Sequence, residues 1–186
     1  VGAFAGEELN LYRKLGLCNT MMFEPQEDLY DMIKVRCIFD EKIYNVALGS
    51  ESCTKEMHIS FREGGIGQGC GASSSLLKPK KHLEEHPEVT FPETKTVKVR
   101  TLDEYYDSQY NFLNIDVQGY ELEVLKGATK TLENIDAMIL EVNRDEVYEN
   151  CPLIEDIDNF VGDIGFSRVA EMWQSVSWGD ALYARN

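Results

Sequence analysis

Apolar and polar residues follow each other along the chain in an order typical of α/β proteins. Residues 7–15 carry apolar positions at helical spacing and are followed by Gly16, and "QEDLYDMIKV" repeats the helical pattern. Short apolar runs typical of buried strands follow each predicted helix, at "NTMMFEP" and "IYNVALGS". Helices alternating with strands predict a mostly parallel sheet covered by helices.

The segment from residue 50 to residue 100 interrupts this alternation. "KEMHISF" and "TKTVKVR" alternate as strands do, and they predict a hairpin-like excursion. A stretch rich in Gly and Ser lies between them and predicts a long irregular loop, of the kind that is usually functional or disordered in compact domains.

The alternation returns in the second half of the chain. "TLDEYYDS" predicts a short helix capped by Thr101, "YNFLNIDV" and "DAMILEVN" predict buried strands, and "GYELEVLKGATKTLENI" and "PLIEDIDNFVGDIG" predict helices. The chain finishes on two strands, "FSRVAEMW" and "GDALYARN", whose short connection predicts an antiparallel pair at a sheet edge. We expect residues 1–186 to form a single domain.

Charge and cysteine content narrow the class of protein. The 33 acidic and 18 basic residues give a net charge of −15, which disfavours nucleic acid and anionic membranes as partners. The five cysteines form no CxxC pair, and no signal peptide or membrane span is visible, so we expect a cytoplasmic protein with reduced thiols. Because Cys and His do not cluster as zinc requires, no metal site is assigned from the sequence, and metal dependence stays open.

The first residues of the chain suggest a nucleotide-type binding site. Gly2, Ala3 and Gly6 form a small-residue turn directly before a predicted helix, where backbone N–H groups are free to meet a ligand. Glu24 follows the next predicted strand, at the place where a Rossmann-type site holds ribose hydroxyls with an acidic side chain. The alternative is that Glu24 only caps a strand at the surface.

Several longer motifs resemble one family. "VGAFAGEELNLYRKLG", "MMFEP", "SSSLL", "VRTLDEY", "WGDALYARN" and above all "NIDVQGYELEVLKGA" are similar to the FkbM-type methyltransferases. The resemblance runs from the first residue to the last. It implies S-adenosylmethionine as cofactor and the class I methyltransferase fold, a three-layer Rossmann-like α/β sheet, mostly parallel with an antiparallel C-terminal strand. It also implies O-methylation of a hydroxyl on a sugar or small natural-product acceptor.

The resemblance also assigns roles to residues of this chain. The residues that it implies for the cofactor are Gly2, Ala3, Phe4 and Gly6 in the first turn, Glu24 for the ribose with Phe23 and Pro25 beside it, Ala47 and Leu48 near the adenine, and Asp116 and Val117 near the transferred methyl group. Gln118, Glu121 and Ser73, Ser74 and Ser75 are candidates for the substrate side. Glu141 matches a recurring carboxylate without an assigned role. For the serines, a capped loop before a short helix is an equal alternative.

Removal of the acceptor proton requires a base within hydrogen-bond reach. Asp116 is the candidate catalytic base; the alternative is that it only orients cofactor or substrate, or caps the following helix. His58 is a second candidate for the base. Two further patterns do not support a site. "HLEEH" fits a zinc-peptidase pattern, but two lysines precede it and Pro87 ends it. "GQGCGA" fits a loose dinucleotide pattern, but no predicted strand precedes it, so it indicates a flexible loop.

Two features depart from the family pattern. Gln118 stands where the family commonly has a glutamate, and the strand that should precede the first turn is missing. We therefore expect a truncated first strand, with Val1 at the end of a strand stub or with another segment in the slot of that strand. We expect residues 63–88 to close over the acceptor. Two alternatives stay open: a nicotinamide-dependent oxidoreductase, and a non-catalytic or truncated relative that binds the cofactor weakly or not at all.

Overall fold

The computed structural model describes residues 1–17, 19–64 and 71–186. The elements of the first half are, in chain order, α1 (Leu9–Lys14), β1 (Met21–Phe23), α2 (Glu27–Lys34), β2 (Lys42–Tyr44), β3 (Ala47–Leu48), β4 (Cys53–Phe61), α3 (His82–Glu85) and β5 (Thr90–Arg100). Those of the second half are a 3-10 helix (Leu102–Tyr105), β6 (Phe112–Ile115), α4 (Glu121–Lys126), α5 (Thr129–Leu132), β7 (Ala137–Asn143), α6 (Ile154–Asp163), β8 (Phe166–Trp173) and β9 (Trp178–Arg185).

The described strands form mixed sheets. Three strand pairs are parallel, β1 with β2, β3 with β5, and β6 with β7. Three are antiparallel, β4 with β5, β7 with β9, and β8 with β9. The hairpin-like excursion (β4–β5) and the antiparallel C-terminal pair (β8–β9) are confirmed. The prediction of one mostly parallel sheet is too simple, because the described strands form three separate sheets and β7 also pairs antiparallel with β9.

The backbone of residues 1–3 joins β1 to β6. The amino group of Val1 donates to the Asn114 carbonyl at 2.6 Å, and the Val1 carbonyl accepts from the Asp116 N–H at 3.1 Å. On the other side, the N–H groups of Gly2 and Ala3 donate to the Phe23 carbonyl at 3.1 and 3.0 Å. These bonds hold the carboxyl ends of β1 and β6 close together. The truncation of a first strand stays a prediction.

Two predicted elements are each divided in the structure. The run "IYNVALGS" supplies β2, which pairs with β1, and β3, which pairs with β5. Between them, the Asn45 side-chain amide donates to the carbonyls of Glu24 and Pro25. The long helix predicted after β6 breaks into α4 and α5 at Gly127, where a Cβ would lie 2.0 Å from the Gly49 carbonyl oxygen.

The main apolar core lies under β6, β7 and β9. Ile115, Val124, Leu140, Val161 and Tyr183 are fully buried members of this core. Ile115 and Leu140 are also partners in the parallel β6–β7 register. The core therefore holds the carboxyl ends of these two strands side by side. No helix among the described residues has the length and apolar character needed to cross a bilayer.

Candidate active site

A cavity opens where β1, β3 and β6 end. Nine of the eleven residues predicted to bind the cofactor line it: Gly2, Phe4, Phe23, Glu24, Pro25, Ala47, Leu48, Asp116 and Val117. Residues far apart in sequence meet here because the backbone of residues 1–3 hydrogen-bonds to the ends of both β1 and β6. The cavity lies at the position that the sequence predicts for a ligand.

Glu24 is the buried acidic group of this cavity, with 3% of its surface exposed. One carboxylate oxygen accepts the Phe4 N–H at 2.9 Å and the other accepts the Gln26 N–H at 2.8 Å. Burial raises the pKa of Glu24 from 4.5 to about 7, and the hydrogen bonds oppose that rise only in part. The interpretation of Glu24 as a surface strand cap is therefore wrong.

The first turn divides into residues that meet the cavity and residues that do not. Gly2 lines it with φ +75°, and a Cβ on Gly2 would lie 1.7 Å from the Asp116 carbonyl oxygen, so only glycine allows this approach. Ala3 and Gly6 line a neighbouring cavity instead. A Cβ on Gly6 would lie 3.1 Å from Leu9 and 3.3 Å from Ile33, so Gly6 lets α1 pack closely against α2.

The turn after β6 is organised by Glu121. One carboxylate oxygen of Glu121 accepts the N–H groups of Val117 and Gly119 at 3.0 and 3.1 Å. Gln118 lies between them with φ +57°, a left-handed conformation that non-glycine residues seldom adopt. Glu121 itself is fully buried and does not line the cavity, so it supports the turn rather than the substrate.

Three carboxylates converge at this end of the sheet. Because Ile115 pairs with Leu140, Asp116 and Glu141 follow side by side, and Glu121 at the start of α4 joins them. One oxygen from each of Asp116, Glu121 and Glu141 lies within 4.8 Å of the others. Asp116 is exposed, whereas Glu121 and Glu141 are buried. The sequence named all three residues but did not predict this cluster.

The cluster shifts the acidity of its members upward. Desolvation raises the pKa of Glu121 to about 7, and that of Glu141 well above its usual value, with the charges of Asp116 and Glu121 adding to the rise. Asp116 faces the cavity, yet the surrounding protein desolvates its carboxylate enough to raise its pKa as well. Negative charge at this end of the sheet is therefore unfavourable unless a ligand or proton compensates it.

Gln118 connects the carboxylates to the rest of the site. Its side-chain nitrogen donates to Asp116 at 2.7 Å and to Glu141 at 2.9 Å, which a glutamate at this position would be unable to do. The Tyr148 hydroxyl lies 2.9 Å from both the Gln118 side-chain oxygen and the Ser73 carbonyl. Tyr148 therefore orients the Gln118 amide toward the two carboxylates.

The three serines have different positions. Ser74 lines the cavity, and its hydroxyl accepts the Ser60 N–H at 2.9 Å. Ser73 and Ser75 do not line it, and their role on the substrate side stays a prediction. The Ser75 hydroxyl donates to the Gln118 carbonyl at 2.7 Å and accepts the Leu77 N–H at 3.0 Å. Ser75 thus anchors the segment after residue 71 to the turn after β6.

The other chemical patterns lie away from the cavity. His58 is not among the lining residues; its neighbour Met57 is, and adjacent strand residues point to opposite faces. In "HLEEH", Glu85 accepts hydrogen bonds from Ser175 and Ser177, and no metal-binding group among the described residues includes it. The glycines of "GQGCGA" at positions 67 and 69 lie outside the described residues.

The sequence missed several lining residues. The lining residues that it did not name as site residues are Val1, Gln26, Val46, Met57, Gly71, Ala72, Leu76 and Tyr120. Gly71 shows why they were difficult to find: a Cβ there would lie 2.3 Å from the Gln26 side chain, a contact between segments that no local pattern encodes. Tyr120 was easier to find from the sequence, because it directly follows the turn at 117–119, where candidate site residues were predicted.

Comparison with known proteins gives consistent results. The chain is 28% identical over 112 residues to the 2-O-methyltransferase NoeI of Sinorhizobium fredii (strain NBRC 101917 / NGR234). The aligned region covers 58% of this chain and 46% of that protein. It also superposes on the crystal structure of an FkbM methyltransferase from Methylobacillus flagellatus KT with a TM-score of 0.63 and 16% identity, covering 98% of this chain and 41% of the other. The chain thus spans less than half the length of these relatives.

The sequence model of the methyltransferase FkbM domain matches residues 1–168, which is most of the chain. The likeness in structure agrees at the level of the fold. The chain therefore belongs to the FkbM methyltransferase family.

Proposed function

We propose that the chain binds S-adenosylmethionine in this cavity and methylates a hydroxyl of a sugar or small natural-product acceptor. The observation that carries the proposal is the buried carboxylate of Glu24, which the Phe4 N–H ties to the first turn. The name of the S. fredii relative, a 2-O-methyltransferase, supports oxygen as the acceptor atom.

The residues around the cavity fit such a cofactor. Each oxygen of Glu24 accepts one backbone N–H, and a carboxylate oxygen has capacity for a further donor, such as a hydroxyl of a ribose diol. Phe23, Ala47 and Leu48 supply an apolar wall suited to an adenine ring. Gly2 keeps the backbone of the first turn against Asp116 and adds no side chain of its own to this end of the cavity.

Bound S-adenosylmethionine would supply an electrophilic methyl group for in-line displacement. The chain then has to position the acceptor, exclude water and take up the hydroxyl proton. Asp116 is exposed to the cavity, and its raised pKa brings it nearer to the range in which a carboxylate is an effective base. We assign to Asp116 the role of accepting that proton.

The segment from residue 71 to residue 76 forms the acceptor side of the cavity. Gly71, Ala72, Ser74 and Leu76 line the cavity there. Ser75 and Tyr148 anchor this segment to the turn after β6. This placement supports the proposal that residues 63–88 cover the acceptor. Within that range, residues 65–70 lie outside the described part of the chain.

An acceptor screen tests the proposal. The chain is incubated with S-adenosylmethionine and a panel of glycans and hydroxylated small molecules, and the products are analysed by mass spectrometry. We expect one acceptor class to gain a methyl group, and Asp116→Asn to lower kcat by about a hundredfold or more. Glu155→Gln, which removes an exposed carboxylate on α6, is the matched control and should leave kcat unchanged. Cofactor binding without transfer to any acceptor would instead indicate a non-catalytic relative.

A further inference from the structure

The carboxylates of Asp116, Glu121 and Glu141 concentrate negative charge at the ends of β6 and β7. Asp180, which pairs with Glu141 across β7 and β9, adds a fourth negative charge nearby. Within the described part of the chain, none of the cluster's three carboxylates forms a salt bridge with lysine, arginine or histidine. Buried charges of one sign require a compensating proton or cation.

A second observation concerns buried polar atoms without partners. Glu121 is fully buried, and although one of its oxygens accepts two backbone N–H groups, the other has no hydrogen-bond partner among the described residues. Asn143 is 1% exposed and lies two residues beyond Glu141 on the same face of β7. Neither polar atom of its side chain has a partner in the described structure.

Such atoms are rare in folded proteins, because an unpaired buried acceptor loses its hydration without replacement. Glu121 is itself a member of the carboxylate cluster, and Asn143 follows Glu141 on the same face of β7. The oxygen atoms of these two side chains are of the type that a hard cation coordinates.

We propose that Asp116, Glu121 and Glu141 bind a divalent cation of the hard class, Mg²⁺, Mn²⁺ or Ca²⁺. Oxygen ligands lie about 2.0–2.6 Å from such ions, so separations of up to about 5 Å between ligand oxygens are compatible with one shared ion. The observed separations, all within 4.8 Å, meet this condition. A set made only of carboxylates favours these ions over zinc or copper.

The surroundings of the cluster hold its geometry in place. The Val117 and Gly119 N–H groups fix one oxygen of Glu121, and the Gln118 amide holds Asp116 and Glu141 together. Hydrogen bonds of this kind orient metal ligands and tune their affinity. Because Asp116 is exposed to the cavity, the ion would keep positions open for water or for an oxygen of the acceptor.

Manganese binding tests the proposal without cofactor or acceptor. The chain is treated with a chelator, freed of it and titrated with Mn²⁺, and free Mn²⁺ is measured by electron paramagnetic resonance. We expect a single ion per chain, displaced by Mg²⁺ or Ca²⁺. Glu141→Gln and Asp116→Asn should each weaken binding by about tenfold or more. Glu155→Gln, with the same loss of charge at an exposed position, should bind as the wild type does.

Two results would overturn the proposal. The first is the absence of Mn²⁺ binding at millimolar concentration, which would mean that protons compensate the cluster. The second is equal binding by all variants, which would place the ion elsewhere. Circular dichroism verifies that each variant is folded, and Asp116→Asn is informative even if Glu141→Gln is not, because Asp116 is exposed. The assignment of the cavity to S-adenosylmethionine does not depend on this outcome, since cofactor binding is measured separately. The role of Asp116 as proton acceptor does depend on it, because a bound cation would lower the pKa of this carboxyl.

Discussion

Glu24 is the residue on which the cofactor assignment most depends. It is buried, it accepts two backbone N–H groups, and the pKa of its carboxyl is raised to about 7 by burial. Between pH 4.5 and about pH 7, Glu24 therefore keeps its proton in the folded, cofactor-free chain, whereas it has lost that proton in the unfolded chain. The contribution of Glu24 to stability accordingly declines as pH rises from about 4.5 to about 7.

Cofactor binding should show the opposite dependence on pH. Ribose hydroxyls donate to the charged carboxylate, so S-adenosylhomocysteine should bind better as Glu24 loses its proton. For a pKa near 7, we expect affinity to rise by about tenfold between about pH 6 and about pH 8. Calorimetry across this range measures the change. Glu24→Gln should bind more weakly and lose most of this pH dependence, whereas Glu27→Gln, an exposed neighbour on α2, should retain it. An unchanged slope in Glu24→Gln would show that another group titrates.

A close contact between two backbone segments explains why the helix predicted after β6 is divided into α4 and α5. The helical pattern "GYELEVLKGATKTLENI" continues through Gly127, yet α4 ends before it and α5 starts after it. At Gly127 the chain passes against the backbone of Gly49, which follows β3. Helix periodicity records the face that is buried but not the neighbour that limits the space, so this break was not predictable from the pattern.

Substitution of Gly127 tests this contact. In Gly127→Ala the new Cβ would lie 2.0 Å from the Gly49 carbonyl oxygen, so one of the two segments has to move. We expect the free energy of unfolding to fall by about 1–3 kcal/mol, measured by urea denaturation. Gly162→Ala is the matched control, because no atom lies within 4 Å of a Cβ in this position of α6. It should be neutral or stabilise the chain by up to about 1 kcal/mol. Equal stability of Gly127→Ala and the wild type would contradict the close approach.

Over the whole molecule, local sequence patterns predicted the helices and strands better than they predicted the contacts between distant parts of the chain. The order of helices and strands, the position of Glu24 after β1 and the final antiparallel pair follow from periodicity and turn residues. The cluster of Asp116, Glu121 and Glu141 was not predicted, because it depends on the register that pairs Ile115 with Leu140. Register between distant strands is set by packing across the sheet, which one sequence does not display.

The most direct test of the central claim is calorimetry with S-adenosylhomocysteine at neutral pH. The account predicts binding of one ligand per chain, at least about tenfold weaker in Glu24→Gln, because a hydrogen bond to a charged group contributes about 1.5–3 kcal/mol. It predicts no comparable binding of a nicotinamide dinucleotide. Absence of heat with millimolar S-adenosylhomocysteine, or binding of the nicotinamide cofactor alone, would contradict the assignment of this cavity to S-adenosylmethionine.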